Sequence, residues 1–575
     1  MSQKTKRFTK YIIANLIAFS IIWYWLLLIS EQGRQPSGDG PHILGTATRL
    51  AQMLVDFNIG EFLKCFSSLL GPHPPFAYLP FVGAELIAPN KSWTHLVGGV
   101  IVLFISWDGI RRIGGGVIGL IWLMAATPIW LQAENAGIDL VAGACVIQSL
   151  SHLAKSDELQ NKYHVMLWGG WMGAAFMCKY TAPLFLWAPC IIAGWWVVRR
   201  NQWKRLMQGI IGFGIIAIPW WSTHLNQVMG YVTQSSNAKS GLLTNKMIVT
   251  GNWYDIDNLT WYPATVADAI GWSAIAIITL SFILPKKNRY KGSLICLFAI
   301  VGGWFILNQQ TQRQDRYLLP LFPIAAAVIG RSRLAVPSLL IAVPLIQQTK
   351  LIYTADSHKP YNCPIPAERN YKHKFLTKQN ATSYAFLSDT SMWLAGKSWA
   401  CPSTNACNSF SEMDDKWNTT SGSWNQGDCP DQSYWPVNLS TTDWELKEAL
   451  EKTRKYHESD HGTVGFLLQE EGGAPKFGSL LREATKLGYR WHIATVNVVR
   501  FGPHQMQQKD RKLASVFVGP FTIGDWPSRD FDVLLVLQVR EDELHEKWIK
   551  STGMELVEEW TPKKYKKARI YKTPD

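Results

Sequence analysis

The chain changes character near residue 352. Up to that point apolar runs follow one another, separated by short basic or polar joints. After it, Lys, Glu, Asp, Asn and Ser predominate. A helix needs roughly 20 mostly apolar residues to cross about 30 Å of hydrocarbon. Only the first part of the chain supplies such runs, so the pattern predicts a polytopic α-helical membrane protein with a soluble C-terminal domain.

The apolar runs predict about eleven transmembrane helices. The first run is longer than a signal-peptide core and no small-residue cleavage site follows it, so we expect a retained helix. Two loops, 30–91 and 224–265, are long enough to hold structure of their own, and stretches 46–57 and 76–82 are amphipathic enough to lie on a membrane surface. The predicted spans are 11–29, 92–109, 113–131, 138–153, 164–179, 181–198, 206–223, 266–284, 291–307, 318–330 and 334–352.

Basic residues collect in alternate joints, where the positive-inside rule places the cytoplasm. This distribution accounts for much of the net charge of +14, so no nucleic-acid partner is needed to explain it. The N-terminus is expected in the cytoplasm, and an odd number of helices then delivers residues 353–575 to the extracytoplasmic side. The joints are marked by Lys4, Lys6, Arg7, Lys10, Arg111, Arg112, Lys155, Lys162, Arg199, Arg200, Lys204, Arg205, Lys286, Lys287, Arg289, Lys291, Arg331 and Arg333.

Two domains are therefore expected: a membrane domain over 1–352, with both long outer loops, and an extracytoplasmic α/β domain over 353–575. In the extracytoplasmic domain, residues 355–440 are predicted to be irregular. A capping box at Thr442–Glu445 then marks the start of a helix at 443–456. No nucleotide-binding or hydrolase motif occurs in it, which favours an accessory role over a catalytic one. Further strands are predicted at 463–468, 491–499, 515–518 and 532–537, and further helices near 477–488 and 541–551.

Four cysteines fall in the predicted outer domain: Cys363, Cys401, Cys407 and Cys429. In an oxidising compartment they predict two disulfides, with three connectivities open. A zinc site is the alternative. Their spacing contains no C-x-x-C pair and no His lies nearby at ligand spacing, so disulfides are the better interpretation.

Charged and polar side chains collect at the predicted outer ends of the helices. Any one of them has an ordinary explanation, because Asp39 between Gly and Pro fits a turn and Arg or Tyr at a helix end often anchors at the interface. Together they form the set that a transfer of sugar from a phosphate-linked lipid needs: Arg holds phosphate with a bidentate fork, and a carboxylate accepts the proton of a hydroxyl. The residues are Asp39, His73, Asp139, Lys179, Arg313, Asp315, Arg316 and Tyr317.

Six motifs in order resemble those of the GT-C membrane glycosyltransferases, in particular the branch with bacterial protein O-mannosyltransferases and the lipid A aminoarabinose transferase. The resemblance covers about residues 1–352. It implies a membrane glycosyltransferase of the bacterial inner (plasma) membrane. The motifs are Gly38-Asp39 with the amphipathic helix after it, His73-Pro74-Pro75, Thr127-Pro128 with Asp139, Gly173 to Lys179-Tyr180, Pro219-Trp220-Trp221, and Arg313 to Arg316-Tyr317-Leu-Leu-Pro320.

The resemblance also implies roles. Asp39 would be the general base, with His73, Lys179 and Arg316 on the lipid phosphate, beside Arg313 and Tyr317. Asp139 would orient a cation or bind donor sugar. The donor would be a polyprenyl-monophosphate sugar, the acceptor a hydroxyl, and direct displacement would invert the anomeric centre.

The sequence departs from this family in two places. Gly40 follows Asp39 where a second acid is common, so a single carboxylate must serve. That favours catalysis without a metal or other cofactor. Glu134-Asn135 stands where an Arg is common, which leaves the identity of the donor sugar open.

Two other classes of protein remain open. A transporter or lipid flippase would also have many helices and buried charges, but such proteins tend to show internal repeats and helices broken at mid-membrane. Here the charges lie at one face and no repeat is evident. A receptor-like binding protein would leave the His-Pro-Pro and Arg-Tyr-Leu-Leu-Pro segments without a role. The glycosyltransferase interpretation accounts for most of the pattern.

Overall fold

The structure, a computed structural model, describes most of the first 354 residues and parts of the rest. Some described residues have a described backbone but not a described side chain. The described ranges are 3–30, 40–67, 74–89, 93–134, 136–236, 254–286, 290–309, 315–354, 417–418, 423–424, 446–457, 463–468, 483–484, 487, 489, 492–497, 515–518, 522–525, 532–538, 546, 549–550, 553–562 and 567–574.

The chain folds as two compact units. The first comprises Met1–Gln32, Pro72–Ala77 and Gly99–Trp435, and the second comprises Gly33–Gly71, Tyr78–Gly98 and Pro436–Asp575. The second unit thus includes most of the first outer loop as well as the C-terminal region. The sequence-based division at residue 352 stays a prediction.

The first part of the chain is helical. Its helices are α1 Gln3–Ser30, α2 Gly40–Val55, α3 Ile59–Ser67, α4 Leu79–Ile87, α5 Thr94–Ile113, α6 Gly116–Ala125, α7 Thr127–Glu134, α8 Ile138–Lys155, α9 Lys162–Phe176, α10 Trp187–Arg200, α11 Trp203–Ser236, α12 Ile256–Ile270, α13 Trp272–Ile283, α14 Tyr290–Gln309, α15 Leu321–Arg331 and α16 Leu339–Thr354. Short 3₁₀ helices span Pro75–Tyr78, Ala182–Phe185 and Asp315–Leu318.

Each predicted span coincides with one helix or with two consecutive ones. Span 113–131 is divided between α6 and α7, because Pro128 in the first turn of α7 cannot continue the hydrogen bonding of a preceding helix. In the region of span 266–284, Gly271 separates α12 from α13 with a φ of 83°, a conformation that favours glycine. The helices therefore lie close to their predicted positions. The breaks between α6 and α7 and between α12 and α13 do not show in the apolar pattern.

Within the described ranges, two helical segments are long and apolar enough to cross a membrane by length and composition, Trp203–Asn226 and Tyr290–Gln309. Several helices of 10–17 residues are also apolar, among them Gly116–Ala125, Trp272–Ile283 and Leu321–Arg331. The number of eleven transmembrane helices stays a prediction.

The helices α9 and α11 pack with their backbones in close contact. Gly169 and Gly173 on α9 lie one turn apart, and a Cβ on Gly169 would collide with the carbonyl oxygen of Gly209 on α11. A Cβ on Gly173 would lie 2.8 Å from the carbonyl oxygen of Phe213. This small-xxx-small spacing is typical of close helix pairs in membranes. It fixes the C-terminal end of α9 against the middle of α11.

Three of the joints predicted to be cytoplasmic meet at one place. Glu158 lies between α8 and α9, and its carboxylate accepts from Lys291 Nζ at 2.6 Å and Arg200 Nε at 2.5 Å. The hydrogen bond from Lys291, and after it that from Arg200, holds the pKa of Glu158 below its ordinary value, although burial of the carboxylate raises it. The joints after α8, after α10 and before α14 therefore share one end of the bundle, as the charge pattern requires. Which side of the membrane this is remains a prediction.

Replacing Glu158 by Gln should lower the free energy of unfolding by about 1–2 kcal/mol at pH 7. Because the folded pKa is lowered, the stabilisation is complete above the unfolded pKa of about 4.3 and is lost as the pH falls through the lower folded value. Thermal unfolding in detergent, from pH 7 to pH 4, measures the loss of stability and its dependence on pH. Asp157→Asn is the control, since Asp157 is 69% exposed and 3.6 Å from Lys291. An equal loss in both variants would contradict the assignment.

In the second unit, α2 and α4 pack against each other. Ile43, Ala47 and Leu50 of α2 are buried, as is Phe81 of α4. The apolar face of α2 is therefore largely covered by protein rather than free to lie on a membrane. The next helix, α3, has no buried residues.

The C-terminal region of this unit is built on a mixed sheet in the order β6-β5-β4-β3-β7-β9-β8. Its central strand β3 runs parallel to β4 and β7, and the other pairs are antiparallel. The strands are β3 Thr463–Leu468, β4 His492–Asn497, β5 Ser515–Val518, β6 Thr522–Asp525, β7 Val533–Gln538, β8 Glu555–Trp560 and β9 Lys567–Lys572. A helix, α17, spans Leu446–Tyr456. A separate two-stranded ribbon, which belongs to the first unit, joins β1 Trp417–Asn418 and β2 Ser423–Trp424.

The core of this sheet is apolar and continuous. Phe466 of β3, Leu535 of β7 and Ile570 of β9 are fully buried, and Leu450 of α17 packs on them. Strands β3, β4, β5 and β7 and the helix near 443–456 agree with the sequence-based expectation of an α/β arrangement. Strands β6, β8 and β9 were not predicted. The cysteines Cys363, Cys401, Cys407 and Cys429 lie outside the described residues, so the two disulfides stay a prediction.

Candidate active site

The first component of the site is a carboxylate at the start of a buried helix. Asp139 lies in the first turn of α8, and every residue of α8 from Ile138 to Leu153 is buried. Its own side chain is only 3% exposed. A negative charge is favoured at a helix N-terminus by the aligned peptide dipoles. Asp139 is thus placed at the end of α8 opposite to the Glu158 ion pairs.

The second component is a lysine that follows the next helix. Lys179 lies just after the end of α9 and is 1% exposed. Its Nζ lies 2.5 Å from Asp139 Oδ1 and 2.6 Å from Asp139 Oδ2. Removing both charges from water costs several kcal/mol per ion, which their attraction offsets only with good geometry. A buried pair of this kind therefore needs a reason beyond stability.

The third component is the ring of Tyr317. Lys179 Nζ lies 5.4 Å from its centroid, within the range of a cation–π contact. Tyr317 belongs to the 3₁₀ helix Asp315–Leu318 and is 8% exposed. The same helix carries the backbone of Arg316. The segment Arg316-Tyr317-Leu-Leu-Pro320 is therefore the neighbour of the ion pair.

A glycine on α8 allows the Arg316–Pro320 segment to lie close to the ion pair. Gly143 is four residues after Asp139 and so lies on the same face of the helix. A Cβ at Gly143 would lie 3.2 Å from Pro320 Cα, closer than most side chains tolerate. The absence of a side chain lets the Leu319–Pro320 backbone lie on α8, one turn from the carboxylate.

The Pro-Pro-aromatic segment and the Pro-Trp-Trp segment meet at Met177. The amide of Phe76 donates to the carbonyl oxygen of Met177 at 3.0 Å, two residues before Lys179. Met177 also packs in a buried cluster with Trp220, and Phe76 lies against that cluster. Five of the six sequence motifs are thereby brought together at or next to the buried ion pair, and the motif of Asp39 is the sixth.

The structure describes only part of the predicted site. It brings together Asp139, Lys179 and Tyr317. Asp39, His73 and Arg313 lie outside the described residues, and of Arg316 only the backbone is described. Their roles stay predictions.

Two interpretations of the buried ion pair compete. It could fasten α8 to the segment after α9 as a structural tie. It could also keep an ammonium charged in a low-dielectric site where an anionic ligand binds, which is the usual reason for ionisable groups within a membrane bundle. Four segments converge here around one cation, with an aromatic ring 5.4 Å away, and this favours the second interpretation.

Sequence reasoning missed two contributors to the site. Gly143 could have been found, because its position one turn after Asp139 marks a face that tolerates close backbone approach. The carbonyl of Met177 could not, since a backbone acceptor carries no residue-type signal.

No protein-family profile matches the sequence, and no curated protein matches it. Among solved structures, the chain is similar to ArnT from Cupriavidus metallidurans in the apo state, with a TM-score of 0.52 and 10% sequence identity over 100% of this chain and 99% of that chain. The crystal structure of ArnT from the same organism bound to undecaprenyl phosphate gives a TM-score of 0.49 and 10% identity over 98% of each chain. At such low identity the likeness concerns the fold alone. The chain therefore has the fold of ArnT, and the GT-C fold that the sequence motifs predicted is confirmed.

Proposed function

We propose that this protein is an integral membrane glycosyltransferase that moves a sugar from a polyprenyl-monophosphate donor to a hydroxyl acceptor on the extracytoplasmic face. The acceptor is a lipid, glycan or protein. The protein would lie in a bacterial inner membrane with about eleven spans. Its N-terminus would be cytoplasmic and its C-terminal α/β domain extracytoplasmic.

The observation that carries this proposal is the buried pair of Asp139 and Lys179 beside Tyr317. A phosphodiester linked to a long lipid must reach its binding site from the membrane plane, and a buried ammonium is a binding partner for it there. The fold of ArnT supports the same class of reaction.

In the proposed reaction, the acceptor oxygen attacks the anomeric carbon as its proton passes to the carboxylate of Asp39. The bond from the anomeric carbon to the phosphate oxygen breaks, and polyprenyl phosphate leaves. Lys179, Arg316 and His73 balance the charge on the departing phosphate. A single displacement inverts the anomeric centre, and no metal or other cofactor takes part.

Replacing Arg316 by Lys should raise the KM for the donor about tenfold, because Lys keeps the charge but loses the bidentate fork. The measurement is transfer from a polyprenyl-phosphate sugar by the full-length protein in vesicles.

Arg333→Lys is the matched control, since Arg333 is exposed in the joint after α15, whereas Arg331 beside it is only 4% exposed and belongs to the packing. Unchanged donor use in Arg316→Lys would make Arg316 an interfacial anchor. Absence of transfer from any polyprenyl-phosphate sugar by the wild-type protein would refute the function itself.

A further inference from the structure

Two tryptophans follow Pro219 inside α11. Trp220 is 5% exposed and lies in the buried cluster with Met177, Ala217 and Val228. Trp221 is half-buried and lies edge-on to Phe176, with ring centroids 6.5 Å apart. Both indoles are therefore beside the last residues of α9, where the chain leads into Lys179.

Neither indole N–H donates to an acceptor in the part of the chain that the structure describes. Trp220 Nε1 and Trp221 Nε1 are both buried and have no hydrogen-bond partner among the described residues. A buried donor that stays unpaired loses its hydrogen bonds to water without replacement, which is unfavourable. Other tryptophans in the described part of the chain do donate: Trp107 to Asn15, Trp122 to Ser338, Trp130 to Met124, Trp187 to Gly302 and Trp304 to Leu259.

The two unpaired donors match an acceptor-only ligand. An indole N–H can donate but cannot accept, whereas a sugar hydroxyl both donates and accepts. Phosphate oxygens of a diester only accept. One face of Trp220 is also unavailable for stacking on a sugar, because the ring of His224 lies parallel to it at 4.5 Å. The N–H edge is the polar part of the ring, and it has no partner among the described residues.

We propose that Trp220 and Trp221 donate indole hydrogen bonds to the phosphate oxygens of the polyprenyl-phosphate ligand, next to Lys179. The inference rests on the proposed function and adds a neutral part to the phosphate site. Lys179 is already paired with Asp139, so neutral donors add hydrogen bonds to an anion without adding further buried charge.

The test replaces Trp220 in the full-length protein with 3-benzothienylalanine, in which sulfur takes the place of N–H and the ring shape is kept. The probes are a polyprenyl monophosphate and the same lipid phosphate carrying a sugar. The dissociation constants for both should rise about tenfold. The melting temperature of the free protein should stay the same or rise, because the lost donor had no partner.

Trp122 is the matched control, since it is 4% exposed but donates to Ser338 Oγ at 2.8 Å. The same replacement there should lower the melting temperature and leave both dissociation constants unchanged. The Trp221 replacement should repeat the effect seen at Trp220.

Unchanged binding of both lipids by the Trp220 and Trp221 variants would overturn the inference while leaving the function intact. Weaker binding of the sugar-carrying lipid alone would assign the indoles to the sugar and overturn the phosphate assignment. If the wild-type protein binds neither lipid, the proposed function fails together with the inference.

Discussion

Replacing Asp39 by Asn should abolish sugar transfer, with a loss of turnover of about 10²–10⁴-fold. The upper end of this range is expected, because the base also orients the acceptor. The amide keeps the size and shape of the side chain but cannot take the proton of the attacking hydroxyl. Donor binding and the melting temperature should change little. Turnover, donor binding and unfolding of the same preparation separate these effects.

Asp56→Asn is the control for this substitution. Asp56 follows α2, is exposed, and accepts a hydrogen bond from Gln52 at 2.8 Å. Its replacement should leave transfer unchanged. Wild-type turnover in Asp39→Asn would instead identify Asp39 as a turn residue. Asp139 would then be the next candidate for the base, although Asp139→Asn is expected to weaken donor binding more than turnover.

Replacing Lys179 by Met should remove donor binding and destabilise the protein by about 3–5 kcal/mol. Methionine keeps the apolar stem, but Asp139 is left buried without its partner. Donor titration and thermal unfolding measure the two effects. Glu158→Gln provides a comparison at the other end of the bundle, where an ion pair is lost and donor binding should be unaffected.

The double variant Lys179→Met with Asp139→Leu separates stability from binding. A buried ion pair replaced by apolar side chains of similar volume is often as stable as the original. The double variant should therefore recover most of the lost stability and still fail to bind the donor. Recovery of donor binding as well would show that the pair is only a structural tie.

The helices of the first part could be predicted because each apolar run carries its own signal. The basic residues in the joints likewise predicted that the segments around Glu158, Arg200 and Lys291 would lie at one end of the helix bundle. The apolar pattern continues through the breaks at Ala126 and Gly271 and does not show them; Pro128 and Gly271 are the residues that mark them. In the C-terminal region, β8 and β9 were missed because Glu555, Glu558, Lys567 and other charged residues interrupt the alternation that marks a strand.

The sequence singled out the residues of the candidate site but not their contacts. The order of the motifs identified Asp139, Lys179 and Tyr317, which are far apart in sequence and adjacent in the structure. That Lys179 pairs with Asp139 depends on how α8 and α9 pack, which no local pattern contains. The close approach of Pro320 to Gly143 is of the same kind.

The strand order of the C-terminal sheet has a consequence for synthesis. The central strand β3 pairs with β7, and β7 in turn pairs with β9, which ends at Lys572. Until β9 has left the ribosome, the edge of the mostly apolar strand β7 has no partner on that side. Such an edge invites pairing with other chains. The sheet must therefore complete its folding after translation of β9, and a nascent chain arrested before β9 would be prone to aggregate.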